Sequence, residues 1–289
     1  MGGSRIEWTE KVWNPVTGCS KISLGCAHCY AERMAKRLAG RYGYPADEPF
    51  RVTFHPERLE EPLRWRKPAR IFVCSMGDLF HEDVPVNYLE SVLAVITNCP
   101  QHIFMILTKR ADRLWLMTPD RLRISRTDTW PIRNLWLGVT AENQEMADKR
   151  IPILLQIPAA VRFVSVEPML GPVDLRGKLC HWTNPDGSGS WFSPVPGKVQ
   201  KRLINWVICG GESGPGARPM HPDWVRSLLD QCQSAGVPFF FKQWGEYRPA
   251  YPAEPYAIDL DGQPMVNTGK KTAGRLLDGQ EWNETPWEV

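Results

Sequence analysis

The chain has 289 residues, 43% of them hydrophobic and 23% charged, which suits one large domain or two ordinary ones and excludes wholesale disorder. A formal net charge of +3 permits a nucleic-acid partner without demanding one. No run reaches the ~20 apolar residues of a membrane helix, and the opening residues carry no signal-type apolar stretch, so a cytoplasmic protein with no membrane partner is expected.

Taken in chain order, short apolar runs alternate with helical patterns. A first strand is expected around Trp13–Val16, followed by a cysteine-rich loop. Ala31, Met34, Ala35 and Leu38 then share a helical face, with Gly40 placed to end that helix. Strands are expected at Phe50–Phe54 and Ile71–Ser75, and Val86, Leu89, Val92, Leu93 and Ile96 make a second helical stripe. Further strands read at His102–Thr108, Leu135–Thr140, Arg162–Val166, Asn205–Cys209 and Pro238–Phe241. Most of these runs are rich in Val, Ile, Phe or Trp and poor in charge, the composition of strands buried on both faces. Trp224, Val225, Leu228, Leu229 and Cys232 form a third helical stripe, begun by Pro222-Asp223 and closed by Gly236. Residues 178–203, with Asn184-Pro185-Asp186-Gly187, read as a surface insertion. Eight strands alternating with helices predict an α/β fold, a (β/α)8 or partial TIM-type barrel over residues 1–245. Residues 246–289 read as a C-terminal extension packed on that barrel, with a hairpin at Asp261-Gly262.

Eight cysteines in a chain of this kind do not suggest a disulfide framework. Cys19, Cys26 and Cys29 fall within eleven residues at the spacing C-x6-C-x2-C, which points to a metal centre. The two-residue gap wraps one corner of such a centre, and Gly18 and Gly25 relax the backbone around it. A helix beginning just after Cys29 would turn its N–H groups and dipole toward the thiolates. Three thiolates can hold a [4Fe-4S] cluster and leave one iron open to a substrate or cofactor. Zinc is the rival, with His28 as a fourth ligand, or with Cys74 or Cys209 arriving from a strand end. Cys74 and Cys209 also read as small core residues, and Cys99, Cys180 and Cys232 as structural.

The strand–cysteine loop–helix opening, ending in Cys26-Ala27-His28-Cys29-Tyr30, resembles the start of radical SAM enzymes. Their usual loop is C-x3-C-x2-C with an aromatic residue before the last cysteine. Here the first gap holds six residues, and His28 stands at the aromatic position. The stretch from Thr17 to Cys26, Ser75-Met76-Gly77-Asp78-Leu79-Phe80, Leu107-Thr108-Lys109-Arg110 and Gly269-Lys270-Lys271 resemble a three-cysteine-motif family of phages and bacteria. That family is known as a domain of unknown function with a radical-SAM-like barrel, and the resemblance spans nearly the whole chain. The family resemblance implies the fold and the cluster; the radical SAM resemblance implies a reduced cluster that splits S-adenosylmethionine, an electron donor as partner, and a substrate over the barrel mouth.

In such barrels chemistry sits where strands end, and polar residues follow the apolar runs here at several strand ends. Ser75, Gly77 and Asp78 are candidates for the methionyl end of S-adenosylmethionine. Glu142, Asn143 and Glu167 are candidates for its ribose or ammonium, and Lys109, Arg110 and Lys242 for a carboxylate or substrate phosphate. The Gly210-Gly211-Glu212 triplet has two open readings, a ligand-binding loop or a tight strand-to-helix turn. No residue is assigned a catalytic role. The mild basicity, Lys109, Arg110 and the thirteen tryptophans favour a nucleobase or nucleic-acid substrate. Two other readings stay open: a cluster-containing nucleic-acid-binding or repair-associated protein without radical chemistry, and a zinc-stabilised binding module.

Overall fold

The computed structural model describes residues 6–118, 121, 130–186, 188, 199–252, 254 and 258–286. The chain divides into two compact units, Met1–Val139 with Gln156–Val161, and Thr140–Leu155 with Arg162–Val289.

The first unit opens with β1 (Lys11–Trp13), β2 (Val16–Thr17) and α1 (Tyr30–Arg37). β3 (Thr53–Phe54), β4 (Arg70–Val73), α2 (Val86–Thr97), β5 (Ile103–Thr108) and most of β6 (Leu135–Thr140) follow. β1, β4, β5 and β6 pair in parallel, each with the next. The helical stripes match the sequence in part: α1 buries Ala31 and Ala35, with Met34 half-buried and Leu38 just past its end, and α2 buries Leu89, Val92, Leu93 and Ile96 but leaves Val86 exposed. Gly40, at φ +70, follows α1, a conformation that costs glycine little.

The second unit holds most of α3 (Gln144–Gln156) and of β7 (Val161–Val166), then β8 (Cys180–Thr183), β9 (Val199–Arg202), β10 (Trp206–Gly210), α4 (Pro222–Ser234) and β11 (Phe239–Gln243). β7, β10 and β11 pair in parallel. The strand order of the sheet is β1-β4-β5-β6-β7-β10-β11, so each strand neighbours the next one of the sheet in sequence. This is an α/β fold of seven parallel strands. All six residues of β6 and all five of β10 are buried, as strands covered on both faces must be.

The eighth expected strand is not in that sheet. Of Phe50–Phe54 only Thr53–Phe54 is extended, paired antiparallel with Val16–Thr17. Its side chains are half-buried or exposed, and Pro56 ends it at once. The first expected strand also stops earlier, at Trp13, because Asn14-Pro15 turns the chain into β2. Pro15 has no N–H to offer a parallel neighbour.

Within the expected insertion, β8 and β9 form an antiparallel pair outside the main sheet. Gly187 and residues 189–198 lie outside the described residues. The C-terminal stretch folds as β12 (Tyr247–Pro249), β13 (Ile258–Leu260) and β14 (Gln263–Asn267), in the order β12-β14-β13, before the short α5 (Lys270–Ala273). Asp261 and Gly262 have φ of 52 and 84 and join Leu260 to Gln263, the positive-φ pair that a two-residue hairpin demands. Beyond α5 the chain runs along the free edge of β11. Phe241 N donates to Trp282 O at 2.9 Å, Glu284 N to Phe239 O at 3.2 Å, and Trp206 Nε1 to Glu284 O at 2.9 Å. That cover removes the exposed ladder a terminal strand otherwise presents.

Candidate metal centre

The cysteine loop is built on two backbones pressed together at the C-terminal ends of β1 and β4. Gly18 and Gly77 form a parallel bridge, and Gly18 N donates to Met76 O at 2.9 Å. A Cβ on Gly18, at φ +88, would stand 2.1 Å from Arg51 O, and one on Gly77 would stand 2.8 Å from Gly18 O. Only glycine fits at both positions. Asn14 locks the pair, its Oδ1 accepting from Met76 N at 3.1 Å and from Ser75 Oγ at 3.2 Å.

After Cys19 the loop makes a 3-10 turn, Leu24–Cys26, and Cys29 is the N-cap residue of α1. Cys19, Cys26 and Cys29 are half-buried, whereas Cys74, Cys99, Cys180, Cys209 and Cys232 are buried. The loop thiols are therefore the ones open to a metal. The Cys74 and Cys209 thiols, offered by the sequence as extra zinc ligands, are closed off: burial pushes Cys74 up to about 12 and Cys209 well above the usual thiol range, and Cys209 Sγ meets Met169 Sδ at 3.7 Å. His28 is half-buried inside the C-x2-C turn. Among the described residues no three His, Cys, Asp or Glu side chains converge on one ion. A four-iron cluster takes each thiolate on a different iron, and three half-buried thiols on one loop are the donor type it takes.

A buried polar network backs Cys19. Asp78, 6% exposed, accepts from Thr108 Oγ1 at 2.8 and 2.9 Å, from Phe80 N at 2.9 Å and from Lys109 N at 3.3 Å. Arg110, 4% exposed, reaches Asp78 Oδ2 at 3.5 Å and Glu82 Oε2 at 3.0 Å. Its Nη1 donates to Cys19 Sγ at 3.1 Å, and its Nη2 donates to Ser20 O at 3.2 Å and Ser20 Oγ at 2.7 Å. His81 Nδ1 accepts from Asp83 N at 3.1 Å, which leaves Nε2 to meet Ser20 Oγ at 2.9 Å. Burial, and then the Arg110 charge, hold His81 below the usual imidazole range, so a neutral ring with its proton on Nε2 fits these contacts. Burial pushes the Cys19 thiol up to about 11, with the Asp78 charge adding and Arg110 opposing. Cys26 goes the other way: burial raises it, but the Lys109 charge and hydrogen bonds from Ile22 and Ser23 outweigh that and hold it below the usual thiol range.

The sequence-predicted residues thus fall into two groups. Cys19, Cys26, Cys29, Ser75, Gly77, Asp78, Lys109 and Arg110 lie in the first unit, where the contacts above link most of them. Glu142, Asn143, Glu167 and Lys242 lie in the second. There Glu142 is fully buried and accepts from Arg150 Nη1 at 2.7 Å. Asn143 Oδ1 accepts from Met146 N at 3.0 Å at the start of α3. Glu167 pairs with Lys242 at 2.7 Å. Of the Gly210-Gly211-Glu212 triplet, Gly210 is the last residue of β10 and the next two lie in an irregular segment. Gly211 N donates to Gln243 O at 2.9 Å, a Cβ on Gly211 would stand 1.9 Å from Trp244 O, and the Glu212 carboxylate accepts from Arg218 Nε at 2.8 Å and Nη2 at 2.7 Å.

Sequence reasoning missed Asn14, Ser20, Glu82, Arg150 and Arg218. Asn14, beside Pro15 at a strand end, carried a turn signal. The others carried none, because their partners are set by folding rather than by spacing.

No curated protein matches the sequence. Among solved structures, a point mutant of spore photoproduct lyase is 11% identical with a TM-score of 0.46, covering 92% of this chain and 70% of that one. A second spore photoproduct lyase variant, with bound AdoMet and dinucleoside spore photoproduct, is 10% identical with a TM-score of 0.43, covering 90% and 69%. Over residues 3–286 the sequence matches the DUF5131 family, described as a protein of unknown function, and the chain belongs to that family.

Proposed function

We propose that this chain is an iron–sulfur enzyme of the radical SAM type. Cys19, Cys26 and Cys29 hold a [4Fe-4S] cluster, and the iron without a cysteine binds S-adenosylmethionine. The observation that carries this reading is the separation of the cysteines: the three half-buried thiols stand together on one loop, and the other five are buried. A loop at the C-terminal end of a parallel strand is also where α/β folds of this kind place their chemistry. Bound there, the cluster supplies one electron to cleave the sulfonium of S-adenosylmethionine.

The chain's own residues orient and screen. Gly77, fixed against Gly18, and Ser75, held by Asn14, bring backbone and hydroxyl groups to the methionyl end. Asp78 and Arg110 fix the charge behind Cys19. Lys109, half-buried and within the field of Cys26, supplies a cation for a carboxylate or phosphate.

A nucleobase or nucleic-acid substrate is part of the proposal. Tyr30 is 61% exposed beside Cys29, and the side chains of Lys21, Lys36 and Arg51 are 53%, 64% and 53% exposed. An exposed ring suits a stacked base and cations suit phosphates; here Lys21 and Lys36 share Glu32, and Arg51 pairs with Asp47. Binding to an oligonucleotide should weaken as salt rises, and affinity indifferent to salt would remove this part.

The test is anaerobic reconstitution with iron and sulfide, reduction, and addition of S-adenosylmethionine. The expected product is 5′-deoxyadenosine, lost in Cys19→Ala, Cys26→Ala and Cys29→Ala. A protein that binds zinc without inorganic sulfide, or a cluster that yields no 5′-deoxyadenosine, contradicts the proposal.

A further inference from the structure

We propose that Arg110 is a positioning residue that sets the reduction potential of a cluster held at Cys19. The inference rests on the cluster reading above and goes beyond it, because it concerns how readily the centre accepts an electron.

The guanidinium is buried and anchored on three sides. Nε bonds Glu82 Oε2 at 3.0 Å, Nη2 bonds Ser20 Oγ at 2.7 Å and Ser20 O at 3.2 Å, and Asp78 Oδ2 lies 3.5 Å from Nη1. These contacts turn Nη1 onto Cys19 Sγ at 3.1 Å. The guanidinium is planar and permanently charged, so an anchored fork cannot swing away from the sulfur as an ammonium can. An arginine serving the fold alone would be satisfied by Asp78 and Glu82. Here one nitrogen is directed at a sulfur and another at the residue beside it. Arg110 places a charged donor directly on Cys19 Sγ, whereas at Cys26 Sγ the side-chain partner is the neutral Ser23 hydroxyl at 3.7 Å and Lys109 acts only through its charge. A charged donor on a ligand sulfur stabilises the reduced, more negative cluster and raises its potential. One electron arrives from a low-potential one-electron donor and stays on the cluster, and no bond forms or breaks in this step.

The experiment uses the full chain, reconstituted anaerobically, with titanium(III) citrate as reductant. Iron and acid-labile sulfide are counted, and the midpoint potential is read by EPR-monitored titration for the wild type, Arg110→Gln and Arg110→Lys. Arg110→Gln should make reduction about tenfold less favourable, a fall of about 59 mV for one electron, at unchanged iron content. Arg110→Lys, which keeps the charge but not the fork, should fall between the two. A merely structural arginine would change cluster content or stability and leave the potential of the surviving cluster where it was. An Arg110→Gln cluster at the wild-type potential overturns the inference. If that variant holds no cluster, Arg110→Lys decides: a lowered potential supports the inference and the wild-type value overturns it. A wild-type chain without acid-labile sulfide overturns the cluster reading itself, and this inference with it.

Discussion

Asp78 is the residue on which the charge balance behind the cysteine loop turns. It is 6% exposed and acts only as an acceptor, taking the Thr108 hydroxyl, two backbone N–H groups and the Arg110 cation. Asp78→Asn would place an NH2 group among donors and leave Arg110 short of a buried counter-charge. Removing one partner of a buried pair costs far more than the pair contributes when intact. The expected loss is about 3 kcal/mol in urea unfolding, and a loss under ~1 kcal/mol would mean that the network is dispensable. At this scale the spacing of the three cysteines was legible because it is local, within eleven residues, whereas the backbones that shape their loop, Phe50 and Met76 among them, come from farther along the chain. Arg110 was legible only as a cation after a strand. Its sulfur partner lies 91 positions earlier in the chain, and no spacing carries that information.

At the scale of elements, the three helical stripes were legible because each helix buries a single face. α4 is the clearest case, with Pro222 inside its first turn, His221 Nδ1 accepting from Asp223 N at 3.1 Å, and Gly236, at φ +60, beyond its end. The Phe50–Phe54 segment misled because alternating apolar and polar residues look alike in a strand and in an extended loop. Nor did the sequence announce how the chain end is held. Arg226 on α4 grips Asp278 at 2.7 Å, and hydrogen bonding to Arg226, against a smaller effect of burial, holds Asp278 below the usual carboxylate range. A carboxylate lowered in the native state contributes stability above its unfolded pKa, and that stability is lost as pH falls through the native value. Both side chains are about half-exposed, at 42% and 54%, so the contribution is no more than ~1 kcal/mol. Asp278→Asn should therefore be slightly less stable than the wild type at neutral pH and equal to it in acid. A difference that grows as pH falls would contradict this assignment.

For the whole molecule, the rhythm of strand and helix was the most legible feature. A chain whose sheet strands pair in sequence order must alternate in this way, and the apolar runs of a parallel sheet are conspicuous. The division into two compact units was not legible, because it falls inside β6, within a continuous run of elements. The assignment of chemistry depends on the whole molecule in another sense. The fold brings β1 and β4 side by side, so the cysteine loop meets the Ser75–Asp78 loop, and β5, pairing with β4, carries Thr108 and Arg110 to the same place. Three sulfurs from one loop then receive a charge environment from two further strands. Three sulfur ligands on a four-iron cluster would leave one iron site open. The EPR spectrum of the anaerobically prepared, reduced protein, recorded with and without S-adenosylmethionine, reads that site. A [4Fe-4S] signal that changes shape when S-adenosylmethionine is added is the expected result. A protein without inorganic sulfide, or a cluster signal that S-adenosylmethionine leaves untouched, would contradict it.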